Sequence, residues 1–217
     1  MHVWTPPAYD PSTAGIVVYV HGYYTDVDRA WERHRLPEQF AASALNALFV
    51  ACEAPAGPRE QVQWTSLREL LDAVASHLDA SLPQGRVVAV GHSGAHRTLS
   101  RWVAEESSRI ETLVLLDAFY GDDTSLPGWL NASKDRRLIN VAADTRRWAE
   151  QLHRLLPDTV LHDSFPSAGQ LAGARDARIL YVRSQFDHMT IVTGGVVIPL
   201  ILRAARIPLV TETLSQL

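Results

Sequence analysis

Short apolar segments alternate with amphipathic segments along most of the chain. The apolar segments lack the polar alternation of a half-exposed strand, so we predict strands that are covered on both faces. They are Ile16–Val20, Ala47–Ala51, Val87–Val90, Thr112–Leu116, Leu138–Val141 and Ile179–Val182.

The segments between them have helical periodicity. The clearest is Leu67–Leu82, in which one face contains Leu67, Leu70, Leu71, Val74 and Leu78. Ser66 and Glu69 form a Ser-x-x-Glu capping signature at its start. The other predicted helices are Asp28–Leu45 with a break or kink at Pro37, Thr98–Glu106, Thr145–Leu156 and Thr190–Ala205. This alternation predicts an α/β fold, a doubly wound and mostly parallel sheet of about six strands flanked by helices. No repeat or linker interrupts it, so we expect residues 1–217 to form a single domain.

One predicted strand leads directly into a serine within a tight turn. Gly91-His92-Ser93-Gly94-Ala95 follows Val87–Val90 and precedes a helix-like segment, which is the setting of a nucleophile elbow. Such a turn is sharp, so the residues two before and two after the serine must be small. Gly91 and Ala95 meet this requirement. The alternative is a phosphate-binding or purely structural Gly-Ser turn.

Polar residues follow several other predicted strands, at the edge where open α/β sheets bind their ligands. The first strand leads to His21-Gly22-Tyr23-Tyr24, the fourth to Asp117, the fifth to Asp144 and the sixth to Asp187-His188. The order Ser…Asp…His, with His-Gly after an early strand, resembles the α/β-hydrolase superfamily from about residue 15 to 205. The chain departs from the usual motif at Ala95, where glycine is commoner. It also lacks the long insertion that forms a lid, so it resembles a small, lidless serine hydrolase.

The resemblance implies a role for each of these residues. Ser93 is the expected nucleophile, and a serine hydroxyl needs an adjacent base, for which His188 has the expected position. The acid has two candidates. Asp144 lies where the superfamily more commonly places it, but it also suits the N-cap of the helix predicted at Thr145. Asp117 ends a buried strand and has no evident capping role, so we favour Asp117 and keep Asp144 as the alternative.

The resemblance also indicates an oxyanion hole formed by the backbone N–H groups of Tyr23 and Gly94. Four aromatic residues near the strand ends are candidates for substrate contacts, although each is equally explained as ordinary packing: Tyr24, Phe119, Tyr120 and Phe186. We find no metal-ligand spacing, so we expect neither a metal nor a cofactor.

The composition and charge of the chain indicate which classes of partner to expect. The chain has 217 residues, 47% hydrophobic and 20% charged, with a net charge of −4, and no basic cluster is interleaved with aromatic residues. We therefore expect no nucleic-acid partner.

Cys52 is the single cysteine, and the N-terminal residues show neither a basic region nor an apolar run, so we expect a cytoplasmic protein. The apolar run Ile191–Leu202 is too short to cross a bilayer, and we expect no stable membrane insertion. Nothing in the sequence indicates the oligomeric state.

These features together predict an enzyme. The leading hypothesis is hydrolysis of a small-molecule carboxylic ester, of short-chain or aryl type, through an acyl-enzyme on Ser93. Two alternatives remain, an amidase or peptidase with the same triad, and a non-catalytic hydrolase-fold protein that binds a ligand in the same cleft.

Overall fold

A computed structural model describes residues 1–105, 109–121 and 124–210. Eight strands form one sheet within these residues. They are β1 (His2–Trp4), β2 (Gly15–Val20), β3 (Ala47–Cys52), β4 (Val87–His92), β5 (Ile110–Leu116), β6 (Arg137–Ala142), β7 (Thr159–His162) and β8 (Ile179–Arg183). The sheet order is β1-β3-β2-β4-β5-β6-β8-β7. All neighbouring pairs are parallel except β1 with β3. The prediction of a doubly wound, mostly parallel sheet is therefore confirmed.

The six predicted strands are all present, and the two that the pattern missed lie at the edges of the sheet. β1 has three residues, all half-buried, and the four residues of β7 are half-buried or exposed. Short edge strands bury little apolar surface, so they leave no continuous hydrophobic run in the sequence.

Helices cover both faces of the sheet. They are α1 (Val27–Arg33), α2 (Leu36–Ser43), α3 (Leu67–Leu78), α4 (His96–Glu105), α5 (Ser125–Asn131), α6 (Arg146–Leu155), α7 (Ala168–Gly173), α8 (Thr190–Thr193) and α9 (Val197–Arg203). The last residue of the predicted helix Thr98–Glu106 lies outside the described residues. No helix among the described residues is both long and apolar enough to span a bilayer.

Several helices end earlier than their periodicity predicts, and each interruption has a backbone cause. The break in Asp28–Leu45 falls at Arg35, which has a φ of +50°, and Pro37 instead lies in the first turn of α2, where its missing N–H costs nothing. Asp79 has a φ of +48° and ends α3 before Leu82. The predicted helix Thr190–Ala205 is divided into α8 and α9 around Gly195, whose φ is +71°.

The sheet separates two hydrophobic clusters, which explains why its strands lack polar alternation. Along β2, Ile16, Val18 and Val20 pack with α3 to α6, whereas Val17 and Tyr19 pack with α1, α2 and α7 to α9. Each residue of a central strand such as β2 therefore has an apolar environment, whichever side it faces. The carboxyl ends of β2, β4, β5 and β8 bring the predicted functional residues to one edge.

Candidate active site

Ser93 lies in a turn that tolerates only small neighbours. It follows β4 directly, has a φ of +52° and begins a single 3-10 turn that leads into α4. A Cβ added at Gly91 would overlap the Leu99 side chain and come within 2.9 Å of Ala95 Cβ. The small residues at positions 91 and 95 therefore allow the chain to fold back tightly, and a non-glycine residue is held in the left-handed region.

Asp117 and His188 form a close acid–base pair beside this turn. His188 Nδ1 lies 2.6 Å from Asp117 Oδ2. The fully buried carboxylate also accepts hydrogen bonds from the backbone N–H groups of Ala143 at 2.8 Å, Asp144 at 3.1 Å and Thr145 at 2.9 Å, and from the Thr145 hydroxyl at 2.7 Å. Five donors thus surround one carboxylate.

These contacts determine the ionisation of the pair. Burial alone would raise the pKa of Asp117, but the hydrogen bonds from His188, Thr145 and Ala143 hold it far below its ordinary value. The carboxyl is therefore ionised and accepts the Nδ1 proton of His188. That hydrogen bond raises the pKa of His188 above its ordinary value, against the opposing effect of burial. The neutral ring keeps its lone pair on Nε2, where a general base needs it.

The structure corrects two expectations about the aspartates. The N-cap of α6 is Thr145, it makes no side-chain cap hydrogen bond, and Asp144 is exposed rather than capping the helix. Asp117, for which no capping role was expected, instead binds the N–H groups that precede α6. Asp117, Asp144 and His188 also lie close enough together to share a metal ion. The oxygens of Asp117 are already occupied by N–H and O–H donors, so the donor set favours a hydrogen-bonded pair over an ion site.

Ser93 and His188 line the same cavity, whose volume is about 810 Å³. Among the described residues, the hydrogen-bond partner of the Ser93 hydroxyl is the hydroxyl of Tyr120, at 3.3 Å, and His188 Nε2 binds none of them. Hydrogen bonds between a nucleophile and its base are often long in unliganded sites, so this geometry is compatible with serine activation once substrate binds.

The four predicted aromatic contacts divide into two pairs. Tyr24 and Tyr120 line the cavity. Phe119 is buried in the hydrophobic cluster beneath α4 and α5, and Phe186 packs against Phe165, with ring centroids 5.9 Å apart. The prediction that Phe119 and Phe186 line the cavity is therefore wrong, because each neighbours a site residue in sequence but its side chain turns towards the core.

The loop after β2 packs tightly against the serine turn. A Cβ at Gly22 would lie 2.9 Å from Ser93 Cβ, and one at Gly94 would overlap the ring of Tyr23. The N–H of Tyr24 donates to Ala56 O at 2.7 Å, whereas the N–H of Tyr23 donates to none of the described residues. The two N–H groups predicted for an oxyanion hole thus belong to residues in direct contact.

Sequence reasoning missed the residue that holds this loop, Glu53. It follows β3 directly, its Oε1 lies 2.8 Å from His21 Nε2, and its Oε2 accepts from the N–H of Val27 at 3.1 Å. Glu53 therefore connects the loop after β2 to the start of α1. The available signal was a carboxylate immediately after an apolar strand, the same signal that singled out Asp117.

His92 is a second residue whose contribution the sequence did not reveal. Its Nε2 donates to the backbone carbonyl of His188 at 3.0 Å, and the two rings lie 4.5 Å apart, centroid to centroid. Burial is the main cause that lowers the pKa of His92 to about 3, so the ring stays neutral with its proton on Nε2. The nucleophile strand is thereby attached to the loop that bears the predicted base.

Comparisons with known proteins identify the fold. No family model and no curated sequence matches the chain. Among solved structures, MenH from S. aureus is similar with a TM-score of 0.52 and 11% identity, over 88% of this chain and 92% of that one. A feruloyl esterase module from Clostridium thermocellum, complexed with sinapinate, is similar with a TM-score of 0.55 and 12% identity, over 93% of this chain and 81% of that one. An S-formylglutathione hydrolase from Agrobacterium tumefaciens has a TM-score of 0.50 and 15% identity, over 94% of this chain and 88% of that one. At these identities the similarity is one of fold.

Proposed function

This chain has the α/β-hydrolase fold, and we propose that it is a serine hydrolase that cleaves small-molecule carboxylic esters. The observation that carries the proposal is the pairing of His188 with the buried, ionised Asp117 on a cavity that also contains Ser93. Fold alone does not determine activity, so the assignment depends on these side chains.

In the proposed mechanism, Ser93 Oγ attacks the ester carbonyl while His188 Nε2 takes the hydroxyl proton. Asp117 remains ionised and stabilises the imidazolium that forms. The oxyanion accepts hydrogen bonds from the N–H groups of Gly94 and Tyr23. The C–O bond to the alcohol then breaks, His188 returns its proton to the departing oxygen, and water hydrolyses the acyl-enzyme by the same sequence of steps.

Two observations favour esters. The similar structures include a feruloyl esterase and an S-formylglutathione hydrolase, which act on oxygen and sulfur esters according to their names. The cavity lining also combines Tyr23, Tyr24 and Tyr120 with few charged groups, an arrangement that suits apolar or aryl substituents. Amide hydrolysis by the same residues, and ligand binding without turnover, are outcomes that the following experiment separates.

The test combines covalent labelling with turnover. A fluorophosphonate probe should modify the wild-type protein on Ser93, as located by mass spectrometry, and should not modify Ser93→Ala. Ser76→Ala is the matched control, because Ser76 lies on α3 and its hydroxyl donates to Asp72 O. We expect this variant to be labelled normally. p-Nitrophenyl acetate and the corresponding p-nitroanilide then report ester and amide cleavage. Folded protein that neither reacts nor turns over either substrate would support the binding-protein alternative.

A further inference from the structure

The loop after β5 presents a second polar group to the site besides the acid. Tyr120 follows Asp117 by three residues, and its hydroxyl lies 3.3 Å from Ser93 Oγ. Its place in the sequence indicates only an aromatic residue near a strand end. A hydroxyl this close to the nucleophile is positioned to contact the reacting atoms themselves.

The Tyr120 ring is held by packing from two helices. It lies against His96 at the start of α4, with centroids 4.8 Å apart, and against Trp148 of α6, at 5.5 Å. The next residue, Gly121, has a φ of +87°, and a Cβ there would come within 3.3 Å of Trp148 Cγ. The chain is therefore shaped so that Trp148 supports the loop, and the hydroxyl has a fixed location.

Sheet order indicates which part of a substrate this hydroxyl meets. β2 lies on one side of β4, and β5, β6 and β8 lie on the other. The loop after β2 contains Tyr23, with its N–H for the oxyanion. The loops after β5 and β8 contain Tyr120 and His188. Tyr120 thus belongs to the side on which His188 returns its proton to the departing alcohol.

We propose that the Tyr120 hydroxyl donates a hydrogen bond to the alcohol oxygen of the ester as its C–O bond breaks, and thereby determines how well esters of weakly acidic alcohols are cleaved. The inference rests on the proposed function. Tyr120 transfers no proton. Ser93 Oγ bonds to the acyl carbon, the C–O bond to the alcohol breaks, and the proton that leaves with the alcohol comes from His188.

The state of Tyr120 agrees with a donor role. Burial raises its pKa above the ordinary value, against the effect of the hydrogen bond with Ser93, so the phenol keeps its proton at neutral pH. In the free enzyme the Tyr120 O–H can donate to Ser93 Oγ, which leaves the serine proton available to His188. In the tetrahedral adduct the alcohol oxygen is bonded to the same carbon as Oγ and comes within reach of the same donor.

The test is the dependence of rate on the acidity of the alcohol. Acetate esters of p-nitrophenol, phenol, trifluoroethanol and ethanol are compared by kcat/KM in wild type and Tyr120→Phe. Phenylalanine keeps the ring contacts with His96 and Trp148. We expect p-nitrophenyl acetate to lose at most about 3-fold, because its alcohol needs little assistance. Ethyl acetate should lose about 10- to 100-fold, the effect of one hydrogen bond to developing charge.

The control is Tyr181→Phe, which removes a hydroxyl from a separate cavity lined by α6, β7 and β8. It should leave all four rates unchanged. An equal loss across the series in Tyr120→Phe would mean a structural or binding role and would overturn the inference, as would no loss at all. Those outcomes leave the proposed function intact. A wild-type protein that is inert on every ester and unlabelled at Ser93 would overturn the proposed function and the inference together.

Discussion

Asp117→Asn, compared with Asp144→Asn, tests the proposed triad most directly. The two carboxylates lie close together, but Asp117 is the buried one and the one hydrogen-bonded to His188 Nδ1. An amide at position 117 keeps one oxygen and replaces the other by an NH2 group. If the remaining oxygen stays with the donors of Ala143 and Thr145, the NH2 group faces His188 Nδ1.

A donor at that place reverses the tautomer of His188. Nδ1 must then accept, the proton moves to Nε2, and the ring has no lone pair for the serine proton. We expect kcat to fall by about 10⁴, the loss associated with the wrong tautomer in a serine triad. The variant also removes the hydrogen bond that raises the pKa of His188. Activity requires the neutral ring, so the residual activity should reach half its maximum at a lower pH than in wild type.

The same substitution has a cost in stability that can be judged from the contacts. Asp117 Oδ2 also accepts from the N–H of Asp144, and the amide NH2 group cannot accept from it. The N–H of Asp144 is then left unpaired against the buried amide of residue 117, so the free energy of unfolding should fall by about 1–3 kcal/mol. Urea titration measures this loss separately from the loss of kcat.

Asp144→Asn is the matched control, because it makes the same chemical change on an exposed residue of the loop before α6, whose N–H groups bind Asp117. We expect kcat within a few-fold of wild type and an unchanged urea midpoint, since the N-cap of α6 is Thr145 and the Asp144 side chain does not cap the helix. The assignment of the acid is refuted if Asp144→Asn is the inactive variant. It is also refuted if Asp117→Asn stays within 10-fold of wild type with the same pH profile.

Three further predictions concern the groups around this pair. His92→Leu, which removes the donor to the His188 carbonyl, should lower kcat by about 10-fold, whereas His92→Gln keeps an N–H donor and should recover most of it; equal rates in both variants would contradict this. Gly94→Ala places a Cβ against the Tyr23 ring and should lower kcat by about 10²-fold or more with unchanged folding by circular dichroism, and normal turnover would argue against an oxyanion hole there. Burial lowers the pKa of His34 to about 4 and that of His92 to about 3, so below pH 6.5 the unfolded chain binds protons that the folded protein does not. The free energy of unfolding, measured with urea, should therefore be highest above pH 6.5 and should fall by up to about 1.4 kcal/mol per histidine per pH unit as the pH decreases below 6.5. An unchanged value at pH 5 would refute this prediction.

The central strands could be predicted from the sequence because burial on both faces leaves a clear hydrophobic pattern. Strands such as β4 are buried on both faces, so they must be apolar throughout, and few structures besides a buried strand produce a continuous apolar run of this length between turn residues. β7 shows the limit of this signal. It pairs on one side only, and its Val160 and Leu161 are 38% and 43% exposed, so neither its length nor its pattern distinguishes it from a loop.

The proximity of the candidate site residues could be predicted from their positions after the strands. Ser93, Asp117 and His188 each follow a strand, and the carboxyl ends of parallel strands meet at one edge, so their proximity follows from topology alone. Side-chain direction does not follow. Phe119 and Tyr120 are adjacent in sequence, yet one packs in the core and the other lies 3.3 Å from Ser93 Oγ, because φ values of +50° at Asp117 and +87° at Gly121 turn the loop in a way that no periodicity encodes.

Asp117 and Glu53 suggest why a carboxylate directly after a buried strand is an informative signal. A charge at such a place is partly removed from water, and the cost is offset only when several donors converge on it. Asp117 is surrounded by the donors of the loop before α6 and by His188. Glu53 accepts from the first N–H of α1 and contacts His21 Nε2, which itself accepts from the N–H of Ala54. Each carboxylate therefore fixes two segments at once. In both places one of those segments bears a proposed catalytic group, the base in one and an oxyanion N–H in the other, so the charges that organise the loops also position the chemistry.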